Sequence, residues 1–330
     1  MKTRKAPRSE LEITILKQAD KPSKKVLSVS FFTMEDAYRI VEKYQRYLQK
    51  FLHQKKVLKG FETRIYTDDS GKEFALKAAK NDPTVSVYRY NYSPLREKIG
   101  HIGTFGTFMR FLPLFEPGLD MVWVSDIDIP DSYLDPSFIT KMKETNTKVR
   151  FRTFGCHKPI YSRKYTILAG TILSFITFPK QLFTRFINQL VHPTKLLQEK
   201  MNMLNELMVK KKKSPSKIPY GIDEVFLNTI IYNYLIDHNI QCLITKDYLT
   251  LPYLLLKYNN LLTDDESKSE FLYFKNPHIS LINKIKHTLK TKLPLILEKQ
   301  PCVKETLDEL DSFKTSFIKY IIKKGVELER

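Results

Sequence analysis

The chain has 330 residues, 42% hydrophobic and 12% aromatic, enough to fill the core of one large α/β domain or two smaller ones, and its ten glycines exclude a collagen-like or low-complexity chain. Its 55 basic and 36 acidic residues leave a net charge of +19, which favours phosphate, nucleic acid, anionic lipid or acidic polysaccharide, although a solvated lysine-rich surface explains the same balance. Cys156, Cys242 and Cys302 are far apart and form no CxxC pair, which fits a reducing compartment and excludes a cysteine-based zinc cluster.

Residues 1–25 are charged and read as a loosely packed lead-in with no apolar core of signal-peptide length. Order begins with KKVLSVSFF (24–32), a buried strand, followed by Thr33 as a helix N-cap with Asp36 three residues on. The helix that follows carries Ala37, Ile40, Val41, Tyr44, Tyr47, Leu48 and Phe51 at helical spacing. ETRIYTDDS (62–70) is a second strand and TVSVYRYNY (84–92) a third. GTFGTFMRFLPLF (103–115) reads as an aromatic helix, and MVWVSDIDIP (121–130) as the fourth strand. Strand and helix alternate throughout this half, the pattern of a doubly wound α/β sheet.

TKVRFRTFG (147–155) is a further strand, followed by a loop and the apolar run YTILAGTILSFITFP (165–179), which is shorter than the ~20 residues that span a bilayer. The expectation is a cytoplasmic protein, at most peripheral to an anionic membrane. Residues 180–210 are helical with a break near His192-Pro193, and Lys210–Lys213 with Ser-Pro-Ser form an exposed loop. A helix covers 219–239, a late strand 241–249, and the tail beyond about 280 is basic and helical.

The chemistry concentrates in Asp126-Ile127-Asp128. Alternation places both carboxylates on one face, at the carboxyl end of a strand apolar on both sides. In an open α/β sheet the ligand crevice lies outside such ends. Two anions there repel unless a cation joins them, and a hard divalent ion such as Mg²⁺ or Mn²⁺ accepts oxygen ligands and bridges phosphates. The bland reading is a strand-end turn with solvated acids. Gly221-Ile222-Asp223-Glu224 opens a helix, where acids also complement the dipole without any further role. Arg110 is a lone cation in an apolar segment before the acidic strand; it pairs with a carboxylate or phosphate, or snorkels to water. His157 sits in a loop, and the other histidines have no metal-like spacing. No zinc-finger, aromatic RNP or P-loop pattern occurs, so no specific nucleic-acid site is expected.

Taken in order, HIGTFGTFMRFLPLFEPGLDMVWVSDIDI (101–129), RTFGCHKPIYSRKYTILAGTILSF (152–175) and PYGIDEVFLNTIIYNYL (219–235) resemble segments of the GT-A glycosyltransferases, over roughly residues 26–250. The resemblance implies a GT-A type, Rossmann-like fold: a mostly parallel central sheet flanked by helices in residues 26–255, with a basic helical C-terminal extension over 256–330. It implies that a hexose passes from a nucleoside-diphosphate sugar, UDP-sugar favoured, to a hydroxyl on a glycan, protein or lipid, with Mn²⁺ or Mg²⁺ as cofactor. Asp128 would bind the metal and Asp126 the ribose or the metal shell. Arg110 would brace that motif. Ser30, Phe31, Phe32 and Thr33 would approach base and ribose, with Asp68 or Asp69 nearby. Ala169-Gly170-Thr171 would form a small-residue turn against the donor sugar, and Asp223 or Glu224 would face the sugar or the acceptor hydroxyl. Many relatives place a metal-binding histidine after the late strand; here Asp247 is the substitute in reach, with His278 as another. The alternatives to glycosyl transfer are a metal-dependent nucleotidyl- or phosphotransferase and a non-catalytic polyanion-binding module.

Overall fold

The computed structural model describes residues 10–34, 41–128, 134–153, 167–210 and 214–246. Asp36, Ile129, His157, Lys211–Lys213, Asp247, His278 and the whole C-terminal extension fall outside those residues. The chain divides into two compact units, 1–152 with 167–244 and 153–166 with 245–330, and the packing described below belongs to the first.

The strands are β1 (Glu12–Lys17), β2 (Lys25–Ser30), β3 (Glu62–Thr67), β4 (Val85–Asn91), the two-residue pair β5 (Arg96–Glu97) and β6 (Gly100–His101), β7 (Met121–Ser125), β8 (Val149–Thr153), β9 (Ile167–Ser174) and β10 (Cys242–Lys246). Eight of them form one sheet in the order β1-β4-β3-β2-β7-β9-β8-β10. The central pairs β4–β3, β3–β2 and β2–β7 are parallel, while β1–β4 and β7–β9 are antiparallel. The expected α/β class, a mostly parallel sheet flanked by helices, is what the structure shows. Parallel strands are covered on both faces, which is why β2 and β7 read as apolar on both sides. The chain winds outward from β2 to β4 and then returns to place β7 on the other flank of β2. Strand order therefore reverses between β2 and β7, the position outside whose strand ends open α/β sheets place their ligands. Their register sets Ser28 beside Val124, so the carboxyl ends carrying Ser30 and Asp126 lie side by side.

One face of the sheet packs on α1 (Val41–Gln54), α2 (Lys72–Ala79) and α3 (Ser137–Glu144). Leu27, Val29, Phe31, Ile65 and Trp123 meet Tyr44, Leu48, Phe51, Ala75 and Met142 in this core. Burial of each large side chain contributes about 2–3 kcal/mol. The other face is covered by an aromatic layer. Phe108, Phe111 and Phe115 contact Phe226, which also meets Phe183 and Phe186 of α4 (Lys180–Val191). Pro193 breaks α4 from α5 (Lys195–Lys210), as its missing N–H requires. The last helical stretch among the described residues runs as α6 (Ile222–Phe226), a π turn (Leu227–Ile231) and α7 (Tyr232–Asp237). Among the described residues no helix is long and apolar enough to cross a membrane.

Three local expectations change. Residues 12–17, read as lead-in, form the antiparallel edge strand β1, whose mostly exposed side chains hide it from a hydrophobic pattern. The aromatic segment Phe105–Phe115 is a run of 3₁₀ turns with Pro113 inside it, not an α-helix. Ala169-Gly170-Thr171 is no turn. It lies within β9, between Leu168 and Ile172, and pairs with β7 so that Ser125 faces Thr171.

Candidate functional site

Three distant segments meet at Arg110. It is 2% exposed and projects from the middle of the 3₁₀ run, with its planar fork aimed at the end of β7. Nη1 donates to Asp126 Oδ1. Nη2 donates to Asp223 Oδ2 at 2.8 Å and to the Ala169 carbonyl at 3.2 Å. A guanidinium, with five donors in fixed directions, can hold two carboxylates and a carbonyl together; a lysine cannot match that geometry. Asp126 is further tied to β9 by its own N–H, which donates to the Gly170 carbonyl at 3.0 Å.

Gly170 is small for a reason visible in the geometry. A Cβ built there would stand 3.0 Å from Asp126 Oδ2, the carboxylate oxygen that Arg110 Nη1 does not take. Gly221 has φ +90°, a left-handed turn that delivers the chain from the preceding loop directly into α6, with Asp223 and Glu224 in its first turn. Burial pushes the Asp223 carboxyl above its ordinary pKa, Arg110 opposes that shift, and Asp126 reinforces it.

The resulting cleft holds about 80 Å³ and is lined by Tyr44, Thr107, Arg110, Asp126, Asp128 and Gly170, with Tyr220, Asp223 and Glu224 across from them. Among the described lining residues the acids are Asp126, Asp128, Asp223 and Glu224, and the base is Arg110. No group of three or more His, Cys, Asp or Glu with metal-holding geometry occurs among the described residues. Asp126 and Asp128 nevertheless offer the hard oxygen donors a divalent cation takes, and Asp126 Oδ2 faces space that a side chain at position 170 would fill. A larger groove of about 1220 Å³, floored by Tyr66 and Tyr88 and walled by Gln181, Thr184 and Asn188 of α4, contains none of these acids.

The other expected site residues are placed differently. Thr171 is fully buried, and its hydroxyl accepts the Trp123 indole N–H at 3.0 Å. Asp68 is 1% exposed; Oδ2 meets His101 Nδ1 at 3.0 Å and Oδ1 accepts from Ser70. Because His101 Nε2 accepts the Tyr92 N–H, Nδ1 carries the proton and donates to Asp68. Asp69 is held by Arg89, Arg96 and Lys72, chiefly by hydrogen bonding from Arg89, which pulls its pKa down. Phe31 and Phe32 are core residues, and Thr33 hydrogen-bonds Ser70 through both N–H and hydroxyl. Ser30 is 4% exposed, and its buried hydroxyl has no hydrogen-bond partner among the described residues.

Two contributors escaped sequence reasoning. Asn228, inside the π turn, bonds the Ile167 backbone and the Glu224 carbonyl, which anchors the acidic helix to β9. Thr104 donates to Ile218 and Pro219 carbonyls and fixes the loop that precedes Gly221. A π turn is a recurrent mark of functional helices, but nothing in local sequence announces it.

No protein-family model matches the chain, and no curated protein matches it. Among solved structures it is similar to the 4-diphosphocytidyl-2C-methyl-D-erythritol synthase of Anaerococcus prevotii DSM 20548, with 10% identity, a TM-score of 0.36, and coverage of 68% of this chain and 90% of that one.

Proposed function

We propose that this chain is a metal-dependent transferase acting on a nucleotide substrate, and that it moves a hexose from a nucleoside-diphosphate sugar, a UDP-sugar by preference, to a hydroxyl acceptor. One observation carries the reading: Asp126, Asp128, Asp223 and Glu224 line one cleft around the buried Arg110, beside the switch point of a mostly parallel sheet. Asp126, through Oδ2, and Asp128 would hold Mn²⁺ or Mg²⁺. Bound there, the ion supplies charge neutralisation for the departing diphosphate. Arg110 keeps Asp126 at the strand end and Asp223 at the helix start in one fixed geometry, so neither must reorganise when charge develops.

The two helix acids then divide their work. Asp223 is 8% exposed and accepts from both Arg110 and the Glu224 N–H, so it positions the guanidinium. Glu224, less buried and in the same cleft, takes the acceptor hydroxyl proton if the anomeric centre inverts. In that step the acceptor oxygen bonds to the anomeric carbon, and the bond to the diphosphate oxygen breaks with its electron pair leaving on the diphosphate.

The test is a thermal-shift and nucleotide-release screen with UDP-, GDP- and CMP-sugars and nucleoside triphosphates, with and without Mn²⁺, on wild type and Asp128→Ala. One UDP-sugar should stabilise the protein only with Mn²⁺ and be slowly hydrolysed, and Asp128→Ala should lose both effects. Binding of a nucleoside triphosphate alone would move the assignment to nucleotidyl transfer. No binding of any nucleotide would end the transferase reading and leave the basic surface as the working part.

A further inference from the structure

The cleft has one lining residue whose exposure the fold does not require. Tyr220 is 47% exposed, although it immediately precedes the left-handed Gly221 and the acidic first turn of α6. An exposed aromatic on a mobile loop would mean little; this one is on a fixed loop. The Thr104 N–H and hydroxyl hold the Ile218 and Pro219 carbonyls. Asn205 of α5 brackets Ser216 with two hydrogen bonds, each 2.9 Å. A Cβ at Gly103 would stand 2.2 Å from the Ile218 carbonyl, so the turn that leads into the 3₁₀ segment and this loop touch backbone to backbone. The Ile222 N–H closes a turn onto the Pro219 carbonyl. Tyr220 is therefore carried on a rigid mount at the mouth of the cleft.

We propose that Tyr220 is the acceptor platform and that the acceptor is itself a carbohydrate, a pyranose whose apolar face stacks on the exposed ring. This deepens the transferase reading and rests on it. A pyranose presents C–H groups on one face and hydroxyls around its rim. A rigid aromatic ring beside hydrogen-bond-accepting carboxylates matches both, whereas a peptide or lipid hydroxyl brings no flat face to stack. A ring laid on Tyr220 turns one hydroxyl inward toward Asp223 and Glu224, which line the same cleft.

The test uses full-length protein and methyl glycosides of glucose, galactose, mannose and N-acetylglucosamine, with serine- and threonine-containing peptides as the contrasting acceptors. Transfer kinetics are measured with Mn²⁺ and the UDP-sugar identified by screening, and saturation-transfer NMR without donor reads glycoside binding directly. At least one glycoside should be accepted and the peptides should not. Tyr220→Ala should raise the glycoside KM about tenfold or more, with kcat at saturating acceptor changing less, while Tyr220→Phe restores most of the affinity. If no UDP-sugar turns over but NMR shows a glycoside bound to wild type and lost in Tyr220→Ala, the transferase reading falls and the platform stands. Acceptance of peptides, glycoside binding indifferent to Tyr220→Ala, or no glycoside binding at all overturns the platform, even if donor hydrolysis proceeds.

Discussion

Asn228 pairs with Ile167 as a neighbouring strand would. Its side-chain oxygen accepts the Ile167 N–H at 2.8 Å, and its amide donates to the Ile167 carbonyl at 2.9 Å. The helix thereby completes the first backbone pairing of β9, in a place where those groups are buried from water. Asn228→Leu leaves the backbone pair unsatisfied and should cost about 2–4 kcal/mol in urea unfolding. A loss below about 1 kcal/mol would mean that the pairing is replaced by water or by a shift of the helix.

Arg110 separates two carboxylates that would otherwise face each other. Arg110→Gln should destabilise the fold by about 3–5 kcal/mol near neutral pH, because it strands buried charge. The pH dependence has a definite sign. Burial raises the folded-state pKa of Asp223, so its protonated form favours the fold at low pH, and that contribution is lost as pH rises through the folded value. Without Arg110 to oppose the shift, the gap in Tm between variant and wild type should widen from acid toward neutral pH. A gap constant across that range would remove Asp223 ionisation from the account.

Asp69 behaves in the opposite way. Bound by Arg89 at 2.7 Å through both oxygens, by Arg96 at 2.6 Å and by Lys72 at 3.2 Å, it titrates below its ordinary value of 3.8. Its stabilisation is present above that value and disappears as pH falls through the lowered one. Asp69→Asn should cost about 1–2 kcal/mol at neutral pH, and the difference should vanish on acidification. Chemical denaturation at a series of pH values reads this, and a pH-independent difference would contradict it.

Trp123 is the sole tryptophan of the chain, fully buried, and its indole N–H donates to Thr171. Thr171→Val preserves shape and removes the acceptor, at a cost of about 1–3 kcal/mol for the unsatisfied indole donor. Because this residue alone supplies tryptophan emission, the variant should change the native spectrum and lower the midpoint of the fluorescence-detected transition together. A changed midpoint with an unchanged native spectrum would place the effect away from the indole.

Legibility followed the range of the interactions. The buried strand that leads into Asp126 was readable because an apolar run followed abruptly by acids is a local pattern. The helix break at Pro193 was readable for the same reason. Ala169-Gly170-Thr171 misled because small residues punctuate turns, whereas here Gly170 serves a close approach within a strand, whose cause is a carboxylate 44 positions earlier. Asn228 and His101 gave no local signal at all. Their meaning lies in Ile167 and Asp68, which no window of neighbouring residues contains. Asp68 and Asp69 are interchangeable as sequence, yet one is sealed against a histidine and the other is held by half-buried cations.

The convergence on Arg110 also sets a clock for synthesis. Its contacts reach 16, 59 and 113 residues along the chain, to Asp126, Ala169 and Asp223. A ribosome that has released β2, β3, β4 and β7 has exposed most of the parallel sheet, but Asp223 has yet to appear. Through that interval the cation has only part of its cradle, and the aromatic layer lacks Phe226. The nascent chain thus passes through a stage in which the sheet can form before the cleft exists, and the helix that begins at Ile222 supplies the acids that complete it.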